Sequence, residues 1–123
     1  MKLNLDLVRA ILLHIEAAPP NQDVGPIRLD GYDEDEVLAH LDLLAERDLI
    51  DANITRAGSG AKRIYAAYVK SLTWEGHEFL DNARNEEVWS RTKALVKERG
   101  GSASFEIVKA LLTQAALNFF RLG

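Results

Sequence analysis

The sequence predicts a mainly α chain with one small β-hairpin, an α+β fold that ends in a helical extension. Three observations predict it. Apolar residues recur at helical spacing through Leu5, Val8, Leu12 and Ile15, and again through Val37, Leu41 and Leu44. Asn53-Ile54-Thr55 and the aromatic and β-branched run from Ile64 to Val69 flank a turn containing Gly58-Ser59-Gly60. After Thr73 the pattern is helical to the end of the chain.

Taken in order, the first helix covers about residues 5–17, with Leu7 and Ile11 widening its apolar stripe. Ala18-Pro19-Pro20 stops it, because proline has no amide donor and disfavours helix in the residue before it. Asn21 to Pro26 reads as a loop, and Ile27-Arg28-Leu29 alternates as a short strand closed by Asp30-Gly31. A second helix over 33–48 has a full start signal: Asp33 and Glu36 at capping-box spacing, Tyr32 and Val37 as a hydrophobic staple. Glu34 and Asp35 add negative charge in its first turn, where the helix dipole favours it.

The glycines at 58 and 60 allow a hairpin turn with positive φ. Thr73 then caps a helix through about Asn82, inside which Gly76 implies close approach to the hairpin or to the first helix. A helix over 86–99 buries Val88, Trp89, Leu95 and Val96, and Gly100-Gly101 ends it. Ser102 or Ser104 caps a last helix over 105–120, whose apolar arc is wider than a surface helix needs. Trp74 and Trp89 are expected to pack the last helices onto the hairpin. Residues 1–85 thus form the main unit, and 86–123 pack on it or pair with a second copy, as one compact domain.

Composition narrows the function classes. The 123 residues suffice for one core. The absence of cysteine excludes disulfides, thiolate metal sites and a cysteine nucleophile. Asn4 and Asp6 interrupt the first apolar stretch and no small-residue cleavage site follows, so a signal peptide is not expected. No apolar run reaches the roughly 18 residues that span a bilayer, and the expected compartment is the cytoplasm. Net charge is −4, but residues 1–51 carry 4 basic and 12 acidic side chains, and residues 52–123 carry 11 and 7. Such asymmetry can give one face suited to anions.

Two motifs resemble known ones. His40-Leu41-Asp42-Leu43-Leu44-Ala45-Glu46-Arg47-Asp48-Leu49-Ile50 resembles the end of the recognition helix in ArsR-type and MarR-type winged-helix repressors. There the pattern is roughly H-L-x-x-L, a polar stretch, then G-L-[IV] entering the wing. Leu72-Thr73-x-x-Gly76 resembles the L-T-x-x-G that opens the helix after the wing. Nearly the whole chain is similar to an uncharacterised family of short bacterial and prophage proteins sharing the T-W-E-G-H-E-F-L-D run of Thr73–Asp81. The resemblance implies a winged-helix domain with a C-terminal helical extension. Two departures stand out: Asp48 replaces the usual glycine, and one helix fits between Leu29 and the hairpin where a helix-turn-helix has two.

The fold so implied predicts a transcription-regulatory protein of prophage type that binds double-stranded DNA as a homodimer. Arg56, Lys62 and Arg63 on the wing would contact phosphates, and His40 and Arg47 would contact DNA from the helix. Against this, helix 33–48 carries Asp33, Glu34, Asp35, Glu36, Asp42, Glu46 and Asp48 beside the single Arg47. The alternative is a winged helix that docks a protein partner through this acidic helix. Pairing of the last helix through Phe105, Val108, Leu112, Ala115 and Phe119 would make the dimer.

No enzyme, metal or cofactor is expected. His14, His40 and His77 make no H-x-x-x-H pair, and Gly58-Ser59-Gly60 lacks the lysine and spacing of a phosphate loop. Glu75, His77, Glu78 and Asp81 read as a solvent face rather than an acid–base group. Lys109 and Arg121 are too few cations for a membrane-surface helix.

Overall fold

The computed structural model describes residues 2–56, 64–101 and 103–121. Among these there are five helices and two strands, ordered α1 (Leu5–Glu16), α2 (Glu34–Glu46), β1 (Ile50–Arg56), β2 (Ile64–Leu72), α3 (Trp74–Ala83), α4 (Glu86–Glu98) and α5 (Phe105–Arg121). This α+β set of five helices and one antiparallel hairpin is compatible with a winged-helix-like fold. The chain divides into two units, Met1–His77 and Glu78–Gly123, with the division inside α3.

In the first unit, α1 starts at Asn4, whose side-chain oxygen accepts from the Leu7 amide at 3.1 Å. Its buried face is Leu7, Val8, Ile11, Leu12 and Ile15, which packs on α2 and β2. β1 and β2 pair antiparallel from Ile50↔Leu72 to Arg56↔Ile64, with irregularities at Asp51/Ala52 and Thr55/Arg56. The turn at Gly58-Ser59-Gly60 lies outside the described residues.

Ile27-Arg28-Leu29 does not form the expected strand. A single bridge forms two residues earlier, where Gly25 and Val69 exchange backbone hydrogen bonds of 2.8 and 3.0 Å. Gly25 has φ +79 and Pro26 has no amide to donate, so the ladder ends as it begins. Ile27 is buried without being paired. The Tyr32 amide then bonds the Leu29 carbonyl at 3.3 Å, with Gly31 at φ +86. A turn therefore stands where a helix-turn-helix would have its first helix.

α2 begins at Asp33, but that side chain makes no cap hydrogen bond. The side-chain bond expected of the capping box is absent, and the helix starts with the ordinary backbone bond from the Val37 amide to the Asp33 carbonyl, 3.0 Å. The other end is fully specified. The Asp48 amide bonds Ala45 O at 3.1 Å and the Leu49 amide bonds Leu44 O at 2.9 Å, the paired bonds of a Schellman end. Asp48 supplies the left-handed residue itself, with φ +60. Leu44 and Leu49 are both fully buried, giving that motif its apolar contact.

An aspartate here bears both a left-handed backbone and a negative charge at the dipole's negative end. Asp48→Gly should therefore raise stability by about 1 kcal/mol. Urea denaturation would show it as a higher midpoint at unchanged slope.

α3 begins at Thr73, whose Oγ1 accepts the Gly76 amide at 3.1 Å. In the second unit, Asn85 caps α4 by accepting the Glu87 and Val88 amides at 2.9 and 3.0 Å. Gly100, at φ +95, ends α4 with bonds from Gly100 N to Lys97 O and from Gly101 N to Val96 O. Ser104 Oγ accepts the Ile107 amide at 3.3 Å and starts α5; Ser102 lies outside the described residues. α4 and α5 pack together. Phe79 anchors the core, stacked on Phe105 at 5.5 Å and meeting Trp89 edge-on at 6.4 Å. Trp89 is thus a core residue, whereas Trp74 is 74% exposed.

Candidate functional site

The sequence points to α2 and the hairpin that follows it, and the residues named there differ in their surroundings. Lys62 and Arg63 lie outside the described residues. Arg56 is at the end of β1, with its guanidinium 2.8 Å from Asp42 Oδ1 and 3.9 Å from Glu46 Oε1. Asp42 and Glu46 are one turn apart on α2, so they present two carboxylates to the cation at the end of β1, which runs back beside that helix. That i,i+4 acidic pair was visible in the sequence, but its partner fourteen residues later was not.

His40 is not a surface residue. It is 0% exposed, because the helical position that carries it faces α1. Its Nε2 accepts the Asn4 amide at 2.9 Å, which leaves Nδ1 as the donor to Glu36 O at 2.8 Å. This corrects the expectation of a DNA contact: both ring nitrogens are engaged inside the fold. Arg47 is exposed at the C-cap of α2. Asp33, Glu34 and Asp35 are exposed at the other end.

A phosphate approaching Arg56 would meet this arrangement electrostatically. At an effective dielectric near 20, attraction to the guanidinium at ~4 Å is about 4 kcal/mol. Two carboxylates at ~8 Å would each return about 2 kcal/mol of repulsion, which cancels it. Exposed ion pairs are individually weak, about 0.2–1 kcal/mol, so the clasp is releasable. What remains after release is a cation flanked by two anions.

Beside the hairpin, the Tyr68 hydroxyl donates to Asp23 Oδ2 at 3.1 Å and ties the loop after α1 to β2. That hydrogen bond, with the Asp23 charge and slight desolvation, raises the Tyr68 pKa above its ordinary value. The tether is therefore complete below the unfolded tyrosine pKa of about 10 and lost as pH rises through the folded one. Asp23→Asn should return the Tyr68 titration toward the ordinary tyrosine range, as followed by phenolate absorbance in a Tyr32→Phe/Tyr65→Phe background.

His14, His77, Glu75, Glu78 and Asp81 are all exposed, and Asp81 pairs with Arg84 at 3.1 Å. Among the described residues, no group of three or more His, Asp or Glu side chains is arranged to hold a metal ion. No helix there is long and apolar enough to cross a membrane. On α5, Phe105, Val108, Leu112 and Ala115 are buried and Phe119 is half-buried. The first four are already covered within the chain, so the expected pairing surface is not available in that form.

Residues 2–102 match the family model described as "Hypothetical protein (DUF2513)". A protein of Haemophilus influenzae (strain ATCC 51907 / DSM 11121 / KW20 / Rd), described as an uncharacterized protein, is 34% identical over 110 residues, covering 89% of this chain and 90% of that one. The chain belongs to the DUF2513 family. No solved structure matches it.

Proposed function

We propose that this chain is a winged-helix module that docks a basic protein partner through α2 and does not read DNA with it. The observation that carries this reading is the clasp of Arg56 by Asp42 and Glu46. It places the wing's first cation within the field of the acidic helix. Burial of His40 supports the same reading, since it removes one of the two side chains through which α2 would touch a base. The exposed acids Asp33, Glu34 and Asp35 then give the N-terminal end of α2 a surface suited to lysine- and arginine-rich partners.

Titration with mixed-sequence duplex DNA across about 50–200 mM salt tests it, since a protein making several phosphate contacts loses roughly a thousandfold in affinity over that range. The expected result is no salt-dependent binding, and no change in Arg56→Ala/Lys62→Ala/Arg63→Ala. A short lysine- and arginine-rich peptide should bind, and Glu34→Gln/Asp35→Asn should weaken it severalfold. Salt-dependent duplex binding that disappears in the triple variant would overturn the docking reading in favour of a DNA-binding regulator.

A further inference from the structure

α5 carries two apolar faces. The inner one, Phe105, Val108, Leu111, Leu112, Ala115 and Ala116, is buried. On the opposite side, Ala110, Thr113, Leu117 and Phe120 recur at 3-4-3 spacing, and all four are exposed. This is the spacing of a helix–helix seam. Leu117 is 56% and Phe120 60% exposed, and Ile107 beside them is 47% exposed. Solubility alone does not call for large side chains there.

We infer that this outer seam pairs antiparallel with the same seam of a second copy of the chain, about a two-fold axis near Thr113 and Gln114. Size along the seam supports that occupant. Its N-terminal half is small, Ala110 and Thr113, and its C-terminal half is large, Leu117 and Phe120. About that axis antiparallel pairing sets Leu117 against Ala110 and Phe120 against the exposed Ile107, whereas parallel pairing would set Ala110 on Ala110 and leave a void.

Charge supports it independently. Glu106 stands at the N-terminal end of the same face and Arg121 at the C-terminal end. The two-fold brings Glu106, which also lies 3.9 Å from its own Lys109, toward Arg121 of the second copy. It also opposes the helix dipoles favourably. A single helix seam buries less than about 1,200 Å², which places the dimer in the weak, transient class. The inference uses a different face from α2 and stands apart from the docking reading.

Sedimentation across a concentration series should show reversible dimerisation with a dissociation constant on the order of tens of micromolar. Leu117→Glu should raise that constant at least tenfold without altering thermal stability, since the side chain faces solvent. Ala110→Gln, which fills the small end, should do the same. The chain has no cysteine, so introduced ones report orientation. Gln114→Cys should cross-link to itself, and Glu106→Cys should cross-link to Arg121→Cys when the two proteins are mixed. A monomer mass at hundreds of micromolar, a dimer indifferent to Leu117→Glu, or self-cross-linking of Arg121→Cys alone would each overturn the inference.

Discussion

Replacing Gly76 with alanine should destabilise the fold by about 3 kcal/mol or more, lowering the melting temperature by roughly 10 °C. A Cβ at this position would stand 2.0 Å from the Leu49 carbonyl oxygen and 3.1 Å from its carbon. Those are backbone atoms, and they cannot retreat cheaply. The Leu49 amide is bonded to Leu44 O at the end of α2, and the Leu49 carbonyl accepts the Thr73 amide at 3.1 Å. Thr73 Oγ1 also donates to Asp48 O and accepts the Gly76 amide. Moving any one of these groups loosens the junction where α2, β1, β2 and α3 come together. Alanine gains about 1 kcal/mol in helix propensity, which opposes the effect but is smaller than the steric cost. Urea denaturation measures the difference, and a variant as stable as the native chain would sink the close approach. Thr73→Val should cost less, about 1 kcal/mol, because it removes the cap and leaves the backbone in place.

How much of this was legible in the sequence depends on the range of the interaction that fixes each element. α1, α2, α4, α5 and the hairpin are fixed by periodicity and by caps within a few residues of one another, and these read directly. Gly76 could be read as a close approach because a glycine inside an otherwise sound helix needs a reason; that its neighbour is the Leu49 carbonyl could not. The alternation of Ile27-Arg28-Leu29 does not suffice for a strand. Gly25 and Pro26 immediately before it end the ladder after one bridge. Asp33 and Glu36 have capping-box spacing, yet spacing does not determine where the Asp33 side chain turns. At the candidate site, the charges were legible and their pairing was not. Arg56 meets Asp42 only because β1 runs back beside α2. On α5, a wide apolar arc predicts more burial than one face supplies, yet the chain buries only the face toward α4 and leaves Ile107, Leu117 and Phe120 exposed.

His40→Ala should cost about 3 kcal/mol, and it should do so without acting on any surface the protein offers to a partner. The ring bridges two elements far apart in sequence, accepting the Asn4 amide and donating to Glu36 O. Asn4 is also the N-cap of α1, so one residue is held by His40 through its backbone while its side chain caps the helix it starts. Truncation removes both hydrogen bonds, each worth about 1 kcal/mol, and leaves a void in a site with no exposed surface. Three substitutions separate these contributions. Leucine restores volume but leaves the Asn4 amide without its acceptor, so it should recover only part of the loss. Glutamine can place an amide oxygen near the position of Nε2 and should be the mildest of the three. Alanine should be the most severe. Chemical denaturation gives the order, and amide hydrogen exchange at Asn4 and Leu7 should rise with it. A histidine in this role would give the ranking Gln, Leu, Ala in growing severity. A histidine acting as a surface contact would leave stability unchanged in all three, and that outcome would return His40 to the list of candidate ligand contacts.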